Sequence, residues 1–264
     1  MKKRLLTVLG TVVAVAGLAV TAAPATAGAS PTSNGSLHAG PSWNGGAWSG
    51  WNGNSGPASD LSLVHGIPNL PVDIYVVKNF FSYKELPDVN YKAATDLAMD
   101  FPGWVTPGVY LVDVVPAGGN PFNPLLITGF YLGAGQSKTV VAYVTADTSG
   151  DPGQPTLGVF TNDVSPTGGA ARVTVRHLAV APTVGVYADG AVAITPSFSN
   201  GQTATAVVPA GSYDVTVTAP NTPGTVYDDL GPIAVGANTN TLAFAIGTFP
   251  STFKVVALVV PTAS

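Results

Sequence analysis

The stretch that decides the fold is "VRHLAVAPTVGVYADG", residues 175–190, because it restates an earlier stretch, "LVHGIPNLPVDIYVVK", residues 63–78. His65 and His177 occupy the same place in the two stretches and lie 112 residues apart. The same offset holds to the end of both stretches without a gap. A sequence segment that recurs at a constant offset indicates that this chain contains two copies of one domain.

Two further pairs of stretches follow in the same order. "TPGVYLVDV" (106–114) matches "PAGSYDVTV" (209–217), and "LGAGQSKTVVAYV" (132–144) matches "VGANTNTLAFAI" (235–246). Both later pairs have an offset of 103, so the first copy carries nine more residues than the second between the first and second matches. Three matches in one order predict a tandem repeat of about 100 residues.

The repeated segments have the alternation of half-buried strands. In "YDVTVT", Tyr213, Val215 and Val217 share one face and polar residues take the other. The composition agrees, with 46% hydrophobic and only 9% charged residues, 31 Gly and 23 Pro, as short strands separated by turns require. We therefore predict an all-β protein with two tandem Ig-like or Greek-key β-sandwich domains, at 60–166 and 167–264.

The segment before the repeats predicts export. Residues 1–27 have three basic residues, an apolar run and a small-residue Ala-Thr-Ala end, which is typical of a signal peptide. A membrane anchor is the alternative, but the apolar run is shorter than the roughly 20 residues of a spanning helix. Residues 28–59 are rich in Gly, Ser and Asn and predict a disordered linker. Its tryptophans, Trp43, Trp48 and Trp51, either have no function or make this segment an adhesive arm that contacts a glycan or the folded domains.

Charge and cysteine content exclude several classes of partner. The chain has no Cys, so the cores form without disulfides. Without the three basic residues of the export segment, seven cationic residues face 14 acidic ones, and the mature charge is about −7. Nucleic acids and anionic lipids reward clustered Lys and Arg and are therefore not expected as partners. Each repeat offers one His, too few ligands for zinc, and we predict no metal and no cofactor.

The longer first copy contains an insert, residues 78–104, that is rich in aromatic residues and lysine. Aromatic rings beside polar groups bind sugars or peptides, and Tyr83, Tyr91 and Trp104 are the candidate ligand contacts in it. The alternative is that these rings close one edge of the first sandwich. Within the insert, "YKAATDLAM" fits a helical turn or an extended strand equally well.

The repeat resembles a family of bacterial secreted domains, domain of unknown function 4397 (DUF4397), in two tandem copies. The resemblance lies in a strand that ends in His, a Pro-containing turn and a "VDIYV" or "VGVYA" strand, followed by "VPAGSYDVTV" and "VGANTNTLAFAIG". It covers most of residues 61–261 and implies an extracellular β-rich module with no established chemistry. The family's Asp is Asp73 in the first copy and Gly185 in the second. The resemblance also favours an extended conformation for "YKAATDLAM".

No catalytic constellation stands out. His65 and His177 lie on apolar strand faces and predict buried rings with backbone partners. Asp228, Asp229 and the acidic residues of 147–151 predict solvated turn carboxylates, and Glu85 is the only glutamate. We therefore expect a secreted, non-catalytic module that associates with the cell envelope and binds envelope polysaccharide or another surface protein. The alternatives are a secreted hydrolase with its site in the insert and an extracytoplasmic regulatory or sensor domain.

Overall fold

The computed structural model describes residues 58–146, 150–190 and 192–263. The predicted export signal and linker, with Trp43, Trp48 and Trp51, lie outside the described residues. No helix within these ranges is long and apolar enough to cross a membrane.

The described residues form sixteen strands and one helical turn. In chain order they are β1 (Asp60–Gly66), β2 (Val72–Lys78), β3 (Ser82–Val89), β4 (Ala94–Asp96), α1 (Leu97–Asp100), β5 (Gly108–Pro116), β6 (Leu126–Leu132), β7 (Ser137–Ala146), β8 (Pro152–Asn162), β9 (Ala171–His177), β10 (Val184–Ala188), β11 (Val192–Phe198), β12 (Thr203–Val208), β13 (Gly211–Ala219), β14 (Thr222–Val235), β15 (Thr239–Ile246) and β16 (Lys254–Pro261).

These strands build four sheets of four strands. The first sandwich consists of sheet A, in the order β3-β2-β5-β6, and sheet B, in the order β4-β1-β7-β8. The second sandwich consists of sheet C, in the order β12-β9-β15-β16, and sheet D, in the order β11-β10-β13-β14. Each strand of the second sandwich holds the place of the strand eight earlier in the chain. The prediction of an all-β protein made of β-sandwiches is confirmed.

Sheet B has one parallel strand pair among antiparallel ones. β1 runs parallel to β7 with Asp60 opposite Ser137, and β8 runs antiparallel to β7 with Asn162 opposite the same Ser137. Sheet C repeats the arrangement with β9, β15 and β16. The first residue of β1 and the last residue of β8 therefore lie in one row at the same end of the first sandwich.

The two cores lie between the sheets of each sandwich and differ in the size of their side chains. Tyr110, completely buried, stacks on Phe130 at a centroid distance of 5.8 Å in the first core. Leucine, isoleucine and valine surround this pair, whereas valine and alanine dominate the second core. The buried residues of the first core are Leu61, Leu63, Val72, Ile74, Val76, Leu97, Val105, Tyr110, Val112, Val114, Leu132 and Val140.

A third apolar cluster joins the two sandwiches, because the outer face of sheet B packs on the outer face of sheet C. A Cβ added to Gly66 of β1 would lie 2.9 Å from Ile246 Cγ2 of β15, so the two sheets approach closely there. We call this set the inter-sandwich cluster; its buried members are Val64, Val141, Leu178, Leu242, Phe244, Ile246 and Val260.

A buried arginine lies in the same interface. The Arg176 guanidinium donates to Asn162 Oδ1 at 3.3 Å and to the Thr161 carbonyl at 3.2 Å. It also lies 4.9 Å from the Phe160 ring and 5.5 Å from the Phe244 ring. Burial lowers the pKa of Arg176 to about 10, so the group keeps its charge at neutral pH. Hydrogen bonds and ring faces offset the cost of burying that charge.

The "YKAATDLAM" segment adopts both of the conformations that its sequence allows. Residues 94–96 are the short strand β4, and α1 follows at once. The Asp96 carboxylate accepts hydrogen bonds from the Ala98 and Met99 backbone N–H groups, at 2.9 and 3.2 Å, and caps the helical turn. The turn buries Leu97 completely in the first core. Residues 91 and 92 form a turn, and only residues 94–96 are extended, as the family resemblance favoured.

Candidate functional site

The outer face of sheet A carries an apolar row that crosses all four strands. Tyr83 lies opposite Val77, Val77 opposite Leu111, and Leu111 opposite Gly129. Directly opposed residues share a face of the sheet, so these side chains form one line. A Cβ on Gly129 would lie 2.9 Å from Leu111 Cδ2, so the Leu111 side chain lies across the glycine.

The hairpin between β2 and β3 presents two phenylalanines at the end of this face. Asn79 and Phe80 have positive φ values of 49° and 64°, a backbone region that is costly for a residue with a bulky side chain. Asn79 fixes the turn, because its N–H donates to the Val109 carbonyl at 2.8 Å and its Oδ1 accepts from the Val109 N–H at 3.0 Å. Phe81 is 95% exposed. The strained turn therefore holds aromatic side chains in solvent.

The hairpin and the sheet together form an exposed surface that we call the aromatic patch: Phe80, Phe81, Tyr83, Val109 and Tyr131. Val109 lies opposite Tyr131 in the β5–β6 pair, on the same face as Leu111. Tyr83 and Tyr131 are each 63% exposed, and Ile127, on the same face, is 62% exposed. Solvent-facing positions of a half-exposed sheet are normally polar, so an apolar row with exposed rings indicates a contact surface.

Carboxylates flank the apolar row. In the next row Glu85 lies opposite Tyr75, Tyr75 opposite Asp113, and Asp113 opposite Ile127. The Tyr75 hydroxyl donates to Glu85 Oε1 at 3.0 Å, and this bond raises the pKa of Tyr75. Partial burial raises the pKa of Asp113, whose Oδ1 has no hydrogen-bond partner within the described residues. The face therefore offers hydrogen-bond acceptors beside aromatic rings.

The equivalent face of the second sandwich is polar. Val77 and Leu111 correspond to Asp189 and Asp214, and Val109 corresponds to Ser212. Asp189 and Asp214 face each other as their counterparts do: the Asp189 N–H donates to the Asp214 carbonyl at 2.8 Å, and the Asp214 N–H donates to Asp189 Oδ1 at 3.0 Å. One fold thus carries an apolar outer face in the first copy and a charged one in the second, so packing of the sandwich does not require the apolar face.

The three residues of the insert that were predicted to contact a ligand lie in different places in the structure. Tyr83 belongs to the aromatic patch. Trp104 packs against the first core and its Nε1 donates to Ser82 Oγ at 2.9 Å. Tyr91 packs against the inter-sandwich cluster, and its hydroxyl donates to the Thr252 carbonyl of the second sandwich. The three insert residues therefore do not converge on one surface.

Sequence reasoning missed the β5 and β6 part of the surface. Leu111 lies in a segment interpreted only as a strand, and Ile127 and Tyr131 lie in a segment that was given no interpretation. The signal was present, because "GVYLVDV" places Val109 and Leu111 at alternate positions where the second copy has Ser212 and Asp214. Comparing the solvent-facing positions of the two copies would have revealed the difference.

The two repeated histidines are structural, as predicted. His65 Nε2 lies 2.7 Å from the Leu70 carbonyl oxygen, and His177 Nε2 lies 3.2 Å from the Pro182 carbonyl oxygen. Both rings are completely buried. Burial lowers the pKa of each, so both are neutral at pH 7.

Of the carboxylates that the sequence singled out in turns, Asp147 lies outside the described residues. Asp228 and Asp229 lie within strand β14 and not in a turn. Asp229 Oδ1 accepts from the Gly231 N–H at 2.9 Å, at a bulge in the β13–β14 pairing. Among the described residues no three His, Cys, Asp or Glu side chains come together in a way that could hold a metal ion.

A pair of buried carboxyl groups was not predicted. Asp60 and Asp96 meet at the edge of sheet B, where Asp60 Oδ2 accepts from Ser137 Oγ at 2.7 Å. Burial and the Asp96 charge raise the pKa of Asp60 to about 7. Both groups have structural hydrogen bonds, since Asp96 caps α1. The two residues are 36 positions apart and only strand pairing brings them together, so spacing gave no signal.

A known protein family matches the part of the chain that contains the first sandwich. Residues 59–187 match the family described as "Domain of unknown function (DUF4397)". The matched segment spans the whole first sandwich and continues through β9 into β10. No curated protein matches the chain.

Solved structures similar to the chain have low scores. Two are described as a "putative cell adhesion protein", from Bacteroides uniformis (12% identity, 77% of this chain and 97% of that one, TM-score 0.24) and Bacteroides ovatus (10%, 78% and 98%, 0.25). The Bacillus anthracis TIE protein matches at 11% identity over 73% of this chain and 50% of that one, with a TM-score of 0.20.

Proposed function

Since residues 59–187 match the DUF4397 family, we propose that the protein is an exported, non-catalytic binding module. It adheres to a neutral extracellular or envelope polysaccharide through the outer face of sheet A. The aromatic patch and the apolar row beside it make the contact, and the second sandwich supports the first through the inter-sandwich cluster.

The observation that supports this function is the difference between the outer faces of the two sandwiches. Tyr83 and Tyr131 are exposed at the two edge strands of sheet A, and Val77 and Leu111 lie between them. Exposed contiguous apolar surface is unfavourable in water and persists in monomeric domains mainly where a ligand covers it. The charged pair at the corresponding positions of the second sandwich indicates that solubility alone would favour polar residues there.

The chemistry of the face favours a sugar polymer. Tyrosine rings stack on the apolar faces of sugar rings, and Glu85 and Asp113 are acceptors for sugar hydroxyls. Three strand spacings separate β3 from β6, about 14 Å, so the face is long enough for several consecutive sugar units. A mature charge of about −7 excludes attraction to anionic wall polymers as the driving force.

The tryptophans of the predicted linker extend this proposal. Trp43, Trp48 and Trp51 lie within 20 residues of β1 in sequence. An arm that carries three rings would add a second, weaker contact with the same polymer and increase the overall affinity by effective concentration.

The experiment is co-sedimentation of the mature protein with insoluble cell-wall polysaccharide. Leu111→Asp introduces the residue of the second copy into the apolar row, and Tyr131→Ala removes an exposed ring. Tyr131→Ala should weaken binding roughly tenfold, since loss of one stacked ring costs about 1.5 kcal/mol. Leu111→Asp should weaken binding by a similar factor of roughly ten, because it places a charge in the apolar row. Tyr227→Ala, which removes a 42% exposed ring of the second sandwich, is the matched control and should bind as the wild type does.

Salt and product analysis separate this function from the alternatives. Binding by stacking should change little between 50 and 300 mM salt, on the order of twofold or less. Unchanged binding in both patch variants with loss in the Trp43, Trp48 and Trp51 triple variant would move the contact to the arm. Soluble sugars released from the polymer would instead support the hydrolase, and no binding to any polymer would reject the proposal in favour of a protein partner.

A further inference from the structure

The interior of the second sandwich contains a cavity of about 90 Å³. Its walls are the inward side chains of sheets C and D, among them Val175, Ala188, Val215, Ala243 and Ala257. Almost all of the lining surface is hydrocarbon, and Arg176, Thr241 and Tyr213 are the polar residues among those that line it. Close packing leaves few voids larger than a water molecule in a protein interior, so a space of this size needs an explanation.

Smaller side chains in the second copy account for part of the cavity. Leu132 and Val140 of the first core correspond to Val235 and Ala243, which both line the cavity. The same kind of change occurs at other lining positions, where the first copy has Leu61, Leu63, Val76 and Val159 and the second has Val173, Val175, Ala188 and Ala257. Each replacement removes one or two carbon atoms from the space between the sheets.

The missing insert residues account for the rest. In the first sandwich the insert places Leu97 in the core and Trp104 against it. The second copy is nine residues shorter at this point and has no counterpart of α1. Side chains of the insert thus fill space in the first core, and the second core has no equivalent side chains.

We propose that this cavity is a binding site for a small hydrocarbon group, an alkyl segment of a few carbons or a single aromatic ring. A cavity lined almost entirely by hydrocarbon holds ordered water poorly, because water finds too few hydrogen-bond partners there, and an apolar guest regains the missing contacts. Val192 lines the cavity and is 54% exposed, so the cavity reaches the surface at β11 and a ligand has a path inward. This site is separate from the polysaccharide surface and goes beyond the function proposed above.

The experiment uses the full mature protein with methyl-labelled side chains, and the probes are xenon and benzene. Methyl NMR signals of Val175, Val215 and Ala243 should shift on addition of either probe and saturate. The first sandwich supplies the internal control, because Val112 and Val140 occupy the equivalents of Val215 and Ala243 in a filled core and should not shift.

Variants that fill the cavity complete the test. Ala243→Val introduces the residue that the first copy carries, and it should weaken benzene binding at least tenfold while raising the melting temperature. Ala188→Val, also the first-copy residue, repeats the test if the first variant fails to fold. Absence of any shift in the second sandwich, equal shifts in both sandwiches, or unchanged benzene affinity in a folded filled variant would overturn the proposal.

Discussion

The buried carboxyl of Asp60 predicts an unusual dependence of stability on pH. Its Oδ1 has no hydrogen-bond partner within the described residues, and burial together with Asp96 raises its pKa from 3.8 to about 7. The folded protein therefore holds a proton on Asp60 at pH values where the unfolded chain has released it. Because the folded state binds more protons in this range, the free energy of unfolding falls as pH rises from about 4 to 8.

The two pKa values give the magnitude. For a pKa of about 7 in the folded state and 3.8 in the unfolded state, Asp60 contributes a loss of about 2.5 kcal/mol between pH 5 and 8. The buried histidines act in the opposite direction below about pH 6.5, since burial lowers the pKa of His65 and His177 and unfolding lets them take up protons. The Asp60 contribution therefore has to be measured as a difference between variants.

Urea unfolding at half-unit steps from pH 5 to 8 tests this, with wild type beside Asp60→Asn. The amide cannot ionise, so the difference between the two free energies of unfolding should change by about 2.5 kcal/mol over the range, in favour of the variant at pH 8. Asp163→Asn is the control: hydrogen bonds from Ser165 lower the pKa of that carboxyl, which stays ionised in both states throughout. A difference that is flat with pH, or of opposite sign, would show that Asp60 is an ordinary ionised carboxylate.

Three further substitutions test the assigned roles. His177→Ala should lower the free energy of urea unfolding by about 1–3 kcal/mol, because it leaves the Pro182 carbonyl without its buried partner, and polymer binding should not change. Phe244→Ala should cost about 3–5 kcal/mol and split one calorimetric transition into two, since it removes the largest ring of the inter-sandwich cluster; a single transition at unchanged temperature would contradict this. Trp104→Ala should cost about 2 kcal/mol by differential scanning calorimetry and leave polymer sedimentation unchanged, whereas lost sedimentation with unchanged melting would restore Trp104 as a ligand contact.

Much of the architecture could be predicted from the repeat, because two copies of one sequence adopt the same strand order and the same strand register. The matched offsets of His65 with His177 and of Tyr110 with Tyr213 correspond to equal places in the two sandwiches. Alternation in "YDVTVT" predicted the inward face of β13 correctly, since side-chain direction in a strand depends only on parity. The boundary at residue 166 remains a prediction.

The candidate site was less accessible, because exposure depends on neighbours that sequence does not name. Tyr91 and Tyr83 look alike in the insert, yet the second sandwich partly covers Tyr91 and leaves Tyr83 in solvent. The packing of sheet B against sheet C decides this, and strand alternation says nothing about which outer face is covered. The cavity could not be predicted for a similar reason. Each core substitution is small, and their combined effect on the space between the sheets depends on how the two sheets pack.

The row that joins Asp60, Ser137 and Asn162 has a mechanical consequence. A pull between the start of β1 and the end of β8 acts at one end of sheet B and across its strands. The hydrogen bonds of the β1–β7 and β7–β8 ladders are then loaded one after another, like a zipper, and not all together in shear. Such a sandwich opens under a small force, and the chain from 60 to 162 would then extend to roughly 340 Å, at about 3.3 Å per residue. A protein fixed to a polymer and to a cell could in this way lengthen under load before either attachment fails.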